Sequence, residues 1–161
     1  DYNRVVKDLN GLSPDDFLAA LADDFEIKPA RGRCPRPHEM REFSLYLDGK
    51  WYELIALSES ASAGTPVGDL DVTLLSEKVL GPILGITDLR KDDRIDFVGG
   101  IRGLEELERR VDSGEMAAAF ALYPVSMEEL LTIADAGEIM PPKTTWFEPK
   151  LRSGLFVHDL E

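Results

Sequence analysis

The chain has 161 residues, of which 43% are hydrophobic, and its 18 basic and 31 acidic side chains give a formal net charge of −13. This hydrophobic share can build a core without disulfides or metals, and the single cysteine, Cys34, has no partner for an internal disulfide. The acidic balance makes nucleic acid an unfavoured partner, because affinity for a polyanion comes mostly from cations. The sequence has no apolar run of about 20 residues and no signal pattern, so we expect a cytoplasmic protein with no membrane partner.

The opening residues predict a strand followed by a helix. Residues 1–6 read as a strand already under way, so we expect a single C-terminal module of a longer protein, with its own missing N-terminal half as a partner. Ser13 is a good helix N-cap, and Pro14 suits the first helical position. Ile27 begins a short strand that Pro29 ends.

Residues 43–57 predict an antiparallel hairpin. Apolar and polar residues alternate on both sides of Asp48 and Gly49, a pair that favours a two-residue turn with positive backbone φ angles. Such a turn would set Leu45 opposite Tyr52 and give the hairpin one apolar face.

The second half of the chain alternates strands with helices. Residues 58–68 are small and polar, as in a flexible connection between two lobes, which is the alternative to one undivided module. A helix begins near Asp69 or Asp71. The later predicted elements are strands at 95–98, 116–123, 144–147 and 155–157, a helix at 104–111, and a helix that opens with a capping box at 126–129. This alternation indicates β-α-β units, so the predicted fold class is α/β or α+β, with a mixed sheet and flanking helices.

The segment 140–155 (MPPKTTWFEPKLRSGL) is the most unusual in the chain. Lys143 and Lys150 supply cations, and Thr144 and Thr145 supply hydroxyls, between prolines that stiffen the backbone. Cations and directed hydrogen-bond donors together can hold a phosphate or a carboxylate. The alternative is a rigid strand and loop whose lysines face solvent.

The sequence contains no phosphate-binding or metal-binding motif of established spacing. Gly99 and Gly100 lie between a predicted strand and helix, where backbone N–H groups can bind an anion, but their spacing also fits an ordinary tight turn. His38 and His158 are far apart and Cys34 has no second cysteine, so no metal site is predicted.

Four segments carry a family resemblance: residues 1–6 (DYNRVV), 95–100 (IDFVGG), 119–124 (AFALYP) and 140–155. In the same order and over essentially the whole chain, they resemble the bacterial and archaeal family called domain of unknown function 1015. That family commonly has Ser at position 144 and Tyr at position 146. Here Thr144 keeps the hydroxyl, whereas Trp146 loses the phenol.

The resemblance implies a missing half with an Asp-Gly-His-His-Arg motif, which is similar to one in ParB-like folds that include nucleotide-dependent kinases of free serine. The longer protein would then use ATP and Mg²⁺. This chain, with no cofactor or activity of its own, would add phosphate or substrate contacts from Lys143, Thr144, Thr145 and Lys150. One alternative is a non-catalytic module that senses a small anionic metabolite or regulates a partner. Another is a DNA-binding regulator, which the acidic charge disfavours.

Overall fold

The computed structural model describes residues 2–58 and 64–145. Its elements in chain order are β1 (Tyr2–Val6), α1 (Pro14–Leu21), β2 (Phe25–Pro29), β3 (Glu42–Leu47), β4 (Lys50–Ala56), α2 (Asp71–Leu75), a π-helical turn (Ser76–Leu80), β5 (Ile95–Gly99), a 3₁₀ turn (Gly100–Arg102), α3 (Glu105–Asp112), β6 (Ala118–Leu122) and α4 (Met127–Asp135). The predicted combination of a sheet with flanking helices is confirmed. Within the described part of the chain, every helix is too short or too polar to cross a membrane.

The strands form one six-stranded sheet in the order β2-β4-β3-β6-β1-β5. Every pairing between described strands is antiparallel, so the parallel ladders expected of a mixed sheet are not observed among them. The reason is the position of β1, which lies between β5 and β6. Because both neighbours run antiparallel to β1, they run parallel to each other across α3, and the predicted β-α-β unit is present in a split form.

The two parts of the chain on either side of residues 58–68 share this sheet. The later strands β5 and β6 pair with β1, and β6 also pairs with β3. The predicted connection itself lies partly outside the described residues, because 59–63 are not among them.

Local turn and capping signals predicted their elements correctly. Asp48 and Gly49 have φ angles of 48° and 73° in the hairpin turn, and the predicted strand register is observed. The Ser13 hydroxyl caps α1 by accepting the backbone N–H of Asp16 at 3.1 Å. The capping box of Ser126 opens α4 as predicted.

The two final strands predicted from the sequence are not observed in the described residues. Thr144 and Thr145 are described, and neither lies in a strand. The remainder of 144–147 and all of 155–157 lie outside the described residues.

Apolar side chains cover both faces of the sheet. On one face, Phe17 of α1, Leu75 of α2 and Ile133 of α4 join a core cluster with Phe120 of β6. On the other face, Leu107 of α3 packs in a second cluster. The strand β6 is therefore buried along its whole length, as expected of a strand with a nearly uninterrupted apolar sequence.

Asp71 begins α2, as the sequence predicted, but its side chain is also buried in the fold. Its Oδ1 accepts the backbone N–H of Arg41 at 2.9 Å, and only 6% of the residue is exposed. Burial, reinforced by the negative charge of Glu129, raises the pKa of Asp71 to about 6. The folded state therefore favours the protonated form of this carboxyl.

The raised pKa of Asp71 predicts a pH-dependent loss of stability. Because the folded pKa lies above the unfolded value of about 3.9, the stability that Asp71 contributes falls as the pH rises from about 4 to about 6. Asp71→Asn keeps an acceptor for the Arg41 N–H and removes this loss. Relative to the wild type, the variant should gain on the order of 2 kcal/mol between about pH 4 and pH 7, measured by urea unfolding.

Asp48→Asn makes the same change of charge at an exposed turn position and serves as the control. If the difference between Asp71→Asn and the wild type were constant over this range, the buried state of the Asp71 carboxyl would be contradicted.

Candidate anion-binding site

The predicted segment around Lys143 meets the sheet at the start of β1. The Lys143 side chain is exposed, and its Nζ lies 5.8 Å from the centroid of the Tyr2 ring. Lys143 has a φ angle of 58°, in the left-handed region that residues other than glycine seldom occupy. The hydroxyl of the buried Thr144 donates to the Pro141 carbonyl at 2.5 Å. Thr144 therefore closes the turn that presents Lys143, with its own proton engaged by the backbone.

The other predicted site residues fall into three places. Gly99 is the last residue of β5 and lies opposite Tyr2, so the glycine pair and Lys143 come to the same end of β1. Gly100 begins the 3₁₀ turn, and Thr145 is half-buried beside Thr144. Lys150 lies outside the described residues.

The N-terminus of α3, which follows the glycine pair, is poorly suited to an anion. Its first turn carries Glu105, Glu106 and Glu108. These carboxylates already complement the positive end of the helix dipole and would repel a second negative group. We therefore do not expect Gly99 and Gly100 to bind an anion through the N-terminus of α3. Their remaining link to the site is the position of Gly99 opposite Tyr2.

Sequence reasoning missed Arg4, a buried cation in the same place. Arg4 lies two residues from Tyr2 in one strand, so both side chains point to the same face of the sheet. Its guanidinium carbon lies 5.0 Å from the centroid of the Phe97 ring, and Phe97 meets Tyr2 edge to face at 6.1 Å. Contacts thus run continuously from Lys143 through Tyr2 and Phe97 to Arg4. We refer to these four residues as the Arg4 site.

The described part of the chain gives the buried charge of Arg4 no carboxylate partner. Only 1% of the residue is exposed, and its Nη1 donates to the carbonyl of Tyr2. Within residues 2–58 and 64–145, Nη2 has no hydrogen-bond partner and no carboxylate pairs with the guanidinium. Desolvation lowers the pKa of Arg4 to about 10. An isolated buried charge costs several kcal/mol, so this arrangement favours a bound anion.

The ladder between β1 and β6 ends beside the Arg4 site. Its paired residues run only from Arg4 to Val6 on β1. Beyond them the backbone N–H of Leu122 donates to Oδ1 of the buried Asn3 at 3.1 Å, and the Tyr2 carbonyl accepts from Arg4. Nδ2 of Asn3 has no partner in the described part of the chain. Side chains thus replace backbone pairing at this end of the sheet.

Comparison with known proteins gives a family for the first part of the chain. Residues 1–73 match the protein-family model described as "Protein of unknown function (DUF1015)". Over these residues, the predicted family is confirmed. The DUF1015 match contains Tyr2 and Arg4, whereas Phe97 and Lys143 lie beyond it. The comparisons with curated proteins and with solved structures each found no match.

The titratable groups on the opposite face of the sheet are engaged within the fold. The Cys34 thiol has its pKa raised to about 11 by burial and by its hydrogen bond to Glu108, so it is not a thiolate at neutral pH. Glu108 also accepts from Nε1 of Trp51 at 2.9 Å. Among the residues that the structure describes, no group of three or more His, Cys, Asp or Glu side chains is placed to hold a metal ion.

The buried charge of Arg4, which pairs with no carboxylate among the described residues, predicts an unusual mutational effect. Arg4→Met removes the buried charge and keeps a long apolar side chain against Phe97. In the absence of added anions, the variant should have a free energy of unfolding at least as high as the wild type, and up to about 4 kcal/mol higher. Urea unfolding measures this difference.

Arg94→Met is the matched control. Arg94 pairs with Asp92 at 2.8 Å and donates to the carbonyls of Leu84 and Gly85 at 2.9 and 3.0 Å. Its removal should lower the free energy of unfolding, because these carbonyls and the carboxylate lose their donor. An equal loss of stability in both variants would mean that Arg4 is a structural residue.

Proposed function

We propose that this chain binds the anionic group of a small metabolite at the Arg4 site. The observation that carries the proposal is the buried guanidinium of Arg4, whose Nη2 has no partner among the described residues. A phosphate or carboxylate oxygen would accept from Nη2, and its negative charge would compensate that of Arg4.

The exposure of the four residues suggests how a ligand reaches Arg4. Lys143 is exposed, Tyr2 and Phe97 are half-buried, and Arg4 is closed off from solvent. Lys143 attracts an anion by long-range electrostatics, as a cation at the rim of a site does. Because Arg4 is buried, contact with Nη2 requires a neighbouring side chain to move, and we expect this to be the Tyr2 ring, which contacts both Lys143 and Phe97.

The kinase hypothesis is a more specific form of this proposal. In a longer protein that uses ATP and Mg²⁺, the Arg4 site would hold the phosphate or the substrate of a kinase acting on a free amino acid such as serine. The residue geometry supports only the anion-holding part of this role, and the family resemblance supports the rest. Consumption of ATP by the longer protein with serine would distinguish a kinase from a module that only senses the metabolite.

Replacing Lys143 tests the proposed binding. Wild-type protein should show a raised unfolding midpoint with at least one of formate, inorganic phosphate, sulfate, phosphoserine and ATP, since a ligand that binds the folded state stabilises it. Lys143→Gln should weaken the affinity for that anion about twofold to fivefold, because one solvent-exposed charge contributes up to about 1 kcal/mol. Isothermal titration calorimetry measures the affinities.

Lys91→Gln removes the same charge from another exposed lysine, which pairs with Asp88 at 3.5 Å, and should leave the affinity nearly unchanged. Equal weakening by both variants would indicate a response to net charge alone. No shift with any of these five anions would refute the proposed function.

A further inference from the structure

The buried part of the Arg4 site contains one cation. Within the described residues, the contacts place Arg4 against Phe97, whereas Lys143 lies over Tyr2 and is exposed to water. Water screens the ammonium of Lys143, so it contributes little to balancing a charge held at the depth of Arg4.

Among the described residues, the charged and titratable groups around Arg4 supply no second buried positive charge. Within the same residues, the Tyr2 phenol is the ionisable group that acts on the charge of Arg4. On β5, Asp96 precedes Phe97 and therefore points to the other face of the sheet, where it pairs with Arg110 at 2.6 Å. On β6, the residue opposite Arg4 is the apolar Phe120. From residues 2–58 and 64–145, a bound group therefore meets one positive charge at the depth of Arg4.

The donors of the guanidinium are also unequally available. Nη1 donates to the Tyr2 carbonyl and the guanidinium lies against the Phe97 ring, whereas Nη2 has no partner among the described residues, so we take Nη2 as the nitrogen that contacts a ligand. A carboxylate brings one negative charge and an oxygen for Nη2. A phosphate dianion would bury a second negative charge next to the Tyr2 carbonyl oxygen, at a cost of several kcal/mol.

We infer that the Arg4 site selects a group with a single negative charge, the carboxylate of a small organic acid, over a phosphate dianion. This inference rests on the proposed function and narrows its ligand class. It predicts that a phosphate monoester binds well only in its singly charged form.

The test compares anions of fixed and variable charge on the whole 161-residue chain. The probes are formate, sulfate and methyl phosphate, titrated at about pH 5 and pH 8, on either side of the second phosphate pKa of about 6. Binding is followed by the ring NMR signals of Tyr2 and Phe97. The affinity for methyl phosphate should fall about tenfold or more from the lower to the higher pH, which corresponds to about 1.4 kcal/mol. The affinity for formate should stay constant, and sulfate should bind more weakly than formate.

Tighter binding of methyl phosphate at the higher pH, or tighter binding of sulfate than of formate, would overturn the inference while leaving the proposed function intact. Arg4→Met should abolish the ring shifts with every probe, and their persistence would also overturn it. Failure of all three probes to bind at either pH would overturn the proposed function itself.

Discussion

The insertion of β1 between β5 and β6 organises the whole sheet. It splits the β-α-β unit around α3, so β5 and β6 each pair antiparallel with β1 instead of forming a parallel ladder with each other. It also gives β1 a neighbour on each side and a packed layer on each face, so all of its side chains from Asn3 to Val6 are buried. Polar side chains in such a strand must find their partners inside the protein or in a ligand.

Two polar residues of β1, Asn3 and Arg4, find only some of their hydrogen-bond partners among the described residues. The valines at its end pack in the two core clusters, whereas Asn3 and Arg4 each bond to a backbone group and each retain an unpartnered nitrogen within the described part of the chain. Arg110 also has one nitrogen with no hydrogen-bond partner among the described residues, but unlike Arg4 it pairs with carboxylates. Arg110 is 16% exposed and pairs with Asp96 and Glu115 at 2.6 and 3.4 Å. On one face of the sheet, carboxylates thus pair with the partly buried Arg110. On the other face, none of the described carboxylates reaches the more deeply buried Arg4.

The features that the sequence predicted depend on residues close together in the chain. The hairpin turn at Asp48 and the cap at Ser126 are set by a few neighbouring residues, and both are observed. Strand order is different, because it depends on which distant strands pair. The opening strand, with Asn3 and Arg4 beside two valines, is compatible with a half-exposed position, and nothing local indicates that it lies between β5 and β6. Arg4 was missed for this reason, although Arg4 and Val6 share one face of an alternating strand and so carried a weak signal.

The four residues of the Arg4 site also come from distant parts of the chain, and they differ in what they contribute to anion binding. Tyr2 and Arg4 lie in the part of the chain that matches the DUF1015 family, whereas Phe97 and Lys143 reach them only through the pairing of β5 and the turn near Thr144. A buried charge interacts through low-dielectric surroundings and an exposed one through water, so Arg4 should determine whether an anion binds at all. Lys143 should adjust how fast and how tightly it binds. In the proposed function, the buried Arg4 therefore determines which anions bind. Lys143 of the segment 140–155 has the secondary role.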